Sequence, residues 1–310
     1  MNTKENTAQI KEKALNLGFA DCGFSKAEFL PKDANILDKW LLSGHQAEMQ
    51  WMENHLEKRK DPQKLVPGAK TVISVIMNYY NPAQQSDSEA PVISRYAYGK
   101  DYHKVVKKKL KSLMEFVNEL YPEASGRYFT DSAPVSEHAL ARNAGLGWIG
   151  KNSLLLTKEF GSYVFIGEII IDQELDYANT EIKDYCGTCR LCIDECPTHA
   201  INDDRTVNAN KCISYLTIEH KGSLPTEYQN AFYNRAFGCD ICQDVCPWNR
   251  DIIKHSIAEF EPKESLLNKT KEEWISLEEE EFNSLFEGSA LKRTKFEGLK
   301  RNIEFLNSSC

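Results

Sequence analysis

The stretch CGTCRLCIDECP, residues 186–197, decides how this chain is read. Its cysteines stand at Cys186, Cys189, Cys192 and Cys196, with Pro197 after the last. A shorter echo, CDICQDVCP, follows at residues 239–247, with Cys239, Cys242, Cys246 and Pro247. Cys212 lies between the two copies, so eight of the ten cysteines fall within residues 186–246. Disulfides are rare inside cells, and cysteines packed this densely point to metal ligation.

Three thiolates at two-residue intervals can be aimed at one cubane by successive backbone turns, while a fourth followed by proline leaves in another direction. This is the spacing of bacterial two-cluster ferredoxins, in which the fourth cysteine ligates the other cluster. The second copy lacks a leading cysteine, and Cys212 can supply it across an inserted loop. Two complete sets result. Cluster one takes Cys186, Cys189, Cys192 and Cys246; cluster two takes Cys196, Cys212, Cys239 and Cys242. Eight thiolates hold two 4Fe–4S clusters with none left over. Zinc is the competing reading, but zinc ligands usually come as separated pairs. Interleaved ligand sets bring the clusters close, so they form a short wire that must end at a redox centre or a partner.

The 310 residues allow two domains with real cores. Hydrophobic residues make up 41 % and no run suits a membrane span, so no membrane role is expected. Residues 1–17 are polar and amphipathic, without a signal-peptide core or twin arginines, which points to the cytoplasm. Cys22 and Cys310 have no partner pattern and read as a partly buried thiol and a tail residue. The net charge of −8 argues against indiscriminate nucleic-acid binding. Two basic patches stand out, one over residues 100–111 and one over 292–301; the bland reading of each is a solvated helix face.

Three regions are expected: 1–178, 179–250 and 251–310. The first alternates helix and strand signals. Residues 70–77 (KTVISVIM) and 163–171 (YVFIGEIII) fit buried strands. Residues 102–120 have helical periodicity with Pro122 beyond them, 133–143 also read as helix, and 81–91 as a surface loop. The fold class is therefore α+β or α/β: an N-terminal α/β domain, a ferredoxin-like two-cluster domain and a short, basic helical C-terminal segment. No glycine-rich nucleotide loop is present. Asp131 lies between an aromatic stretch and a helix, where an N-cap aspartate is the plain reading. Gly145, Gly147 and Gly150 permit a tight loop that could approach a ligand or merely turn.

In order, EKRKDP, SRYAYGKDYH, FTDSAPV, GLGWIGKN, GSYVFIGEI, CGTCRLC, KCISYLTIEHKG and GCDICQDVCPWN resemble the epoxyqueuosine reductase family, over residues 18–301. The resemblance implies a cobalamin domain coupled to the two clusters. It also implies reduction of epoxyqueuosine to queuosine at the tRNA wobble position, the epoxide oxygen leaving as water. Asp131 matches the family's proposed proton donor, and burial against corrin and substrate would favour its protonated form. Arg59, Ser94, Asp131, Lys151, Asn152, Leu155, Ile169, Ser214 and Asp240 match regions that contact cobalamin, which the family binds base-off. Lys221, Lys292, Arg293 and Lys295 become candidate tRNA phosphate contacts. Longer members continue into helical repeats, so any RNA contact made there is expected to be lost or replaced here. A monomer served by an unidentified electron donor is expected. The rival readings are a corrinoid reductase acting on a small molecule and a plain two-cluster electron carrier.

Overall fold

The computed structural model describes residues 3–177 and 182–308. The expected boundary at 178/179, and Cys310, lie outside the described residues. The centre is a four-stranded antiparallel sheet of β1 (Asp21–Lys26), β2 (Thr71–Asn78), β4 (Gly126–Phe129) and β7 (Val164–Ile171), in the order β1-β2-β7-β4. Every residue of β2 and β7 is buried. Both strands are covered on both faces, which is why they read as continuous apolar runs rather than as alternation.

On one face Ile73, Val75, Met77, Ile169 and Ile171 meet the helices Thr3–Asn16 and Tyr102–Leu120 through Ile10, Ala14, Val106, Leu110 and Leu113. Gly167 makes this approach possible: a Cβ there would lie 2.9 Å from Leu110 and 3.0 Å from Val106. On the other face Val72, Ile76, Ile166 and Ile170 pack on the helix Glu137–Asn143. Cys22 is 0 % exposed within the first core, deeper than the partly buried thiol expected, and burial raises its pKa.

The strands and the long helix begin within one residue of their expected starts. The helix expected from Ala133 begins only at Glu137. Pro134 disfavours helical backbone at the residue before it, and 131–136 form a loop instead.

Two smaller pairings tie the regions together. β3 (Val92–Ile93) runs parallel to β8 (Arg235–Phe237), and β5 (Trp148–Ile149) pairs with β6 (Leu155–Leu156). Helices from residue 264 onward bury Trp274, Phe282, Phe286, Leu299 and Ile303 against Ile93, Ala97 and Phe237, forming a second core. Asn302, fully buried, donates to the carbonyls of Thr217 and Ala236 at 2.8 and 2.7 Å, locking the last helix Lys295–Asn307 to the cysteine region. No described helix is long and apolar enough to cross a membrane.

Candidate active site

A cavity of about 850 Å³ opens between the sheet domain and the cysteine region. Cys196, Cys212, Cys239 and Cys242 form one wall, Asp131, Arg59 and His138 another, and Trp40, Trp51 and Ile36 an apolar flank. A second cavity of about 380 Å³ is lined by Cys186, Cys189, Cys192 and Cys246, together with Lys151, Tyr185, Leu191 and Trp248. The cysteines thus divide between the two cavities in the two sets read from the spacing.

Short turns aim the sulfurs. Cys189 N–H donates to Cys186 O at 3.1 Å, and the helices Leu191–Asp194 and Ile241–Asp244 pack against each other. Cys212 and Cys246 each stand just before a helical turn in extended backbone. Trp148 Nε1 donates to Cys186 Sγ at 3.4 Å and Ala200 N–H to Cys196 Sγ at 3.3 Å. Burial, then Cys246, Cys186 and Cys189, push the Cys192 thiol up to about 11. Burial, then Cys239 and Cys212, raise the thiol of Cys242. Among the described residues no three His, Cys, Asp or Glu side chains close to the spacing of a single-ion site. Each set lines a cavity instead.

Asp131 is not the N-cap of the following helix. That position belongs to Ser136, whereas the long helix Tyr102–Leu120 is capped by Asp101, which accepts from His103 N–H at 3.0 Å. The backbone of Asp131 is left-handed, with φ +55°. Its carboxylate accepts from Tyr102 Oη at 2.5 Å and from His103 Nε2 at 2.9 Å. His103 Nδ1 donates to Asp101 at 2.7 Å. Burial pushes His103 down, but the bonds to Asp101 and Asp131 outweigh it and raise the imidazole to about 9. Burial pushes Asp131 up, yet His103 and Tyr102 together hold its carboxyl below the usual range. The protonated Asp131 was expected against bound corrin and substrate; the protein's own groups, His103 and Tyr102, favour its ionised form.

Of the residues expected at a cofactor, Arg59, Ser94, Asp131, Asn152, Ser214 and Asp240 line the large cavity. Arg59 Nε and Asn152 Nδ2 are buried donors without a partner among the described residues. Asp240 is held by Arg95, whose N–H donates to it at 2.9 Å. Three expected residues stand apart. Lys151 lines the small cavity and donates to the carbonyls of Gly187 and Cys189 at 2.9 and 2.7 Å. Leu155 and Ile169 are 1 % and 0 % exposed, packed in the core. Tyr96 lines the large cavity, whereas Tyr98 donates to Ala83 O, away from it.

The basic candidates are partly engaged. Arg293 Nε donates to Glu219 at 2.5 Å and Lys292 to Asn283 at 2.9 Å. Arg293 is also close enough for its charge to act on Asp131. Lys221 reaches Ile218 O at 3.5 Å, and Lys295 is exposed with φ +61° at the start of the last helix. Lys300 and Arg301 are structural: Lys300 donates to Ile275 O, and Arg301 to the carbonyls of Leu216, His220 and Gly222.

Sequence reasoning missed Tyr102, which donates to Asp131, Glu137, which accepts the Asp131 N–H, and the buried Glu168 behind them. Glu168 carried a signal, a lone charge inside an otherwise apolar strand; Glu137 carried none.

Residues 59–132 match the family model "Epoxyqueuosine reductase QueG, DUF1730", and residues 185–249 match "4Fe-4S double cluster binding domain". An epoxyqueuosine reductase of Cellulophaga algicola is 53 % identical over 99 % of this chain and 100 % of its own length. One of Pseudomonas aeruginosa is 43 % identical over 95 % of this chain and 82 % of its own. Among solved structures, an epoxyqueuosine reductase with an epoxyqueuosine-modified tRNA-Tyr stem loop superposes with a TM-score of 0.90 at 30 % identity, covering 97 % of this chain and 80 % of that one. Another, from Bacillus subtilis, has its catalytic aspartate loop swung out of the active site and gives a TM-score of 0.88 at 30 % identity, with 97 % and 81 % covered. The cysteine pattern, the cavity it faces and full-length likeness to these enzymes agree: the chain belongs to the epoxyqueuosine reductase family.

Proposed function

We propose that this chain reduces epoxyqueuosine in tRNA to queuosine, consuming two electrons and two protons and releasing the epoxide oxygen as water. One observation carries the reading: a single cavity has four cysteines of one cluster set on one wall and the Asp131–His103–Tyr102 network on another. Electrons and protons can therefore reach the same space.

The cavity suits a base-off cobalamin. Its volume lies near the upper end of the usual range for ligand cavities, and the unpartnered donors of Arg59 and Asn152 offer bonds to its polar rim. Ser94, Ser214 and Asp240 would complete that rim. Bound there, the group supplies a strongly reducing cobalt able to deliver electrons to a carbon–oxygen bond. Cys186, Cys189, Cys192 and Cys246 would hold the outer 4Fe–4S cluster, and Cys196, Cys212, Cys239 and Cys242 the inner one.

Asp131 would serve as the acid through its partner. As the epoxide oxygen gains charge, a proton passes from His103 Nε2 through the Asp131 carboxylate, while Tyr102 steadies the same oxygen atom. Lys221, Lys292, Arg293 and Lys295 would face the tRNA backbone, Arg293 nearest the acid. We place the reaction in the cytoplasm, carried out by a monomer that takes electrons from a separate donor.

The test is anaerobic reconstitution followed by single turnover on an epoxyqueuosine-bearing tRNA stem loop. The visible spectrum should show both clusters and a corrinoid, and the product nucleoside should lack one oxygen. Full cofactor loading without conversion would refute the reading, and a chain that loads iron but no corrinoid would be a carrier.

A further inference from the structure

Behind the Asp131 loop lie two carboxyls that the chemistry above does not use. Glu168 sits mid-strand in β7, paired with Ser74 on β2 and Phe129 on β4. It is 0 % exposed, and among the described residues neither carboxyl oxygen has an N–H or O–H partner, nor has Ser74 Oγ beside it. A lone ionised carboxylate is very costly in such a place, so Glu168 keeps its proton. The group within hydrogen-bonding reach is Glu137, the first residue of the 137–143 helix. Glu137 in turn accepts the backbone N–H of Asp131 at 2.5 Å.

That contact falls where the loop is least comfortable. A left-handed aspartate persists when its surroundings fix it. The loop's own backbone bonds, Ser132 N–H to Thr130 O and Val135 N–H to Ala133 O, are short-range turns. Thr130 Oγ1 anchors one end on Ile166 O and Ser136 Oγ the other on Arg59 O. Between these anchors, the amide of Asp131 itself is tied by Glu137. The charged groups facing the pair are Asp131, His103 and Arg59; the sheet side offers only Ser74.

We infer that Glu137, hydrogen-bonded to Glu168 behind it, is the latch that holds Asp131 over the cavity: a positioning residue acting through the backbone. The inference rests on the reading that Asp131 serves the reaction, but the latch can be measured without it. The full chain is followed by hydrogen–deuterium exchange over residues 127–136, alongside single-turnover rates and stem-loop affinity.

Glu137→Ala should speed exchange of that segment and slow turnover by about 10- to 100-fold, the scale of one charge-assisted hydrogen bond, with affinity for the stem loop unchanged. Glu168→Gln keeps an N–H donor toward Glu137 and should behave as wild type, whereas Glu168→Met should copy Glu137→Ala. Unchanged exchange in Glu137→Ala overturns the latch, as does Glu168→Gln being as damaging as Glu168→Met. Faster exchange with wild-type turnover supports the latch and removes Asp131 from the chemistry.

Discussion

The two cysteine sets come from one duplicated pattern, yet they sit in unlike surroundings. Burial raises thiols in both: Cys212 and Cys242, with Cys239 pushed up to about 12, around the large cavity, and Cys246, with Cys192 pushed up to about 11, around the small one. The rim of the small cavity carries Tyr185 and Leu191, 36 % and 38 % exposed. The inner set faces Asp131 across the large cavity; the outer set, with Cys246 itself only 8 % exposed, lines the cavity with the exposed rim. Ligand pattern alone does not say which cluster meets the substrate side. The fold separates the two sets, placing Cys196 and Cys239 in the wall of the cavity that Asp131 also lines and Cys186 in that of the other.

The largest expected effects test that polarity. Cys242→Ala should abolish turnover with any reductant, because the inner set is the last step before the cavity. Cys189→Ala should abolish turnover with a protein donor but leave measurable single turnover with titanium(III) citrate, which can reach the cavity by another route. Equal losses in both variants under the chemical reductant would break the comparison. Exchanging the Cys-Pro residues sharpens it: Cys246→Ala should cost the outer cluster and Cys196→Ala the inner, read by iron content and electron paramagnetic resonance.

Next in size is the acid. Asp131→Asn keeps the shape of the side chain but carries no proton to pass on. A loss of ~10²–10⁴ in single-turnover rate is the expected scale for general acid catalysis, with clusters and corrinoid at wild-type levels. Wild-type rates under full loading would send the search for a donor to Tyr96, which also lines the cavity.

How far the sequence could be read follows from what each feature depends on. The cysteine sets were legible because ligation is local: spacing, Cys-Pro and one extra cysteine suffice. Strands β2 and β7 were legible because they are buried on both faces, and so was the helix 102–120. The antiparallel order of the sheet was not, since residue 71 pairs with residue 171 and no short-range pattern encodes that. Asp131 was singled out through resemblance, and by position it was also a possible cap; its partners Tyr102 and His103 lie some 28 residues earlier, beyond any short-range pattern. Its charge state depends on those partners as well as on burial, and the two act in opposite directions. Leu155 and Ile169 matched cofactor-contacting segments, but their side chains turn to the core, and which face of a strand a residue takes is set by pairing.

His103 gives a smaller, pH-dependent effect. Its folded value of about 9 lies above the ordinary 6.5, so the stabilisation from Asp101 and Asp131 is complete below about pH 6.5 and is lost as pH rises through 9. Asp131 has the opposite sign: its contribution holds above the ordinary 3.8 and is lost as pH falls through its lowered folded value. If the proton starts on His103, the wild-type rate should fall by about tenfold per pH unit above 9. His103→Gln should be slower at neutral pH and should lose this alkaline limb. A limb that survives in His103→Gln would place the titrating group elsewhere.

The smallest effects belong to the basic segment, where the inner–outer comparison meets the RNA. Lys292, Arg293 and Lys295 are exposed, but Arg293 already pairs with Glu219 and Lys292 with Asn283. An exposed pair contributes little and opens readily, so Arg293 remains able to reach a phosphate, at the cost of leaving Glu219. Lys295, with no such attachment among the described residues, should carry the cleaner signal. Lys295→Ala is expected to weaken stem-loop binding about two- to threefold and to reduce the salt slope by about 0.7–0.9, the value of one phosphate contact. Arg293→Ala should give a similar slope change with a smaller affinity loss. Arg301→Ala is the control: it removes three bonds to the carbonyls of Leu216, His220 and Gly222, so it should lower the melting temperature while leaving the slope of the remaining folded protein unchanged. If Lys295→Ala and Arg293→Ala both keep the wild-type slope, this side of the cavity is a solvated helix face, and the RNA approaches from the Trp51 and Arg59 side instead.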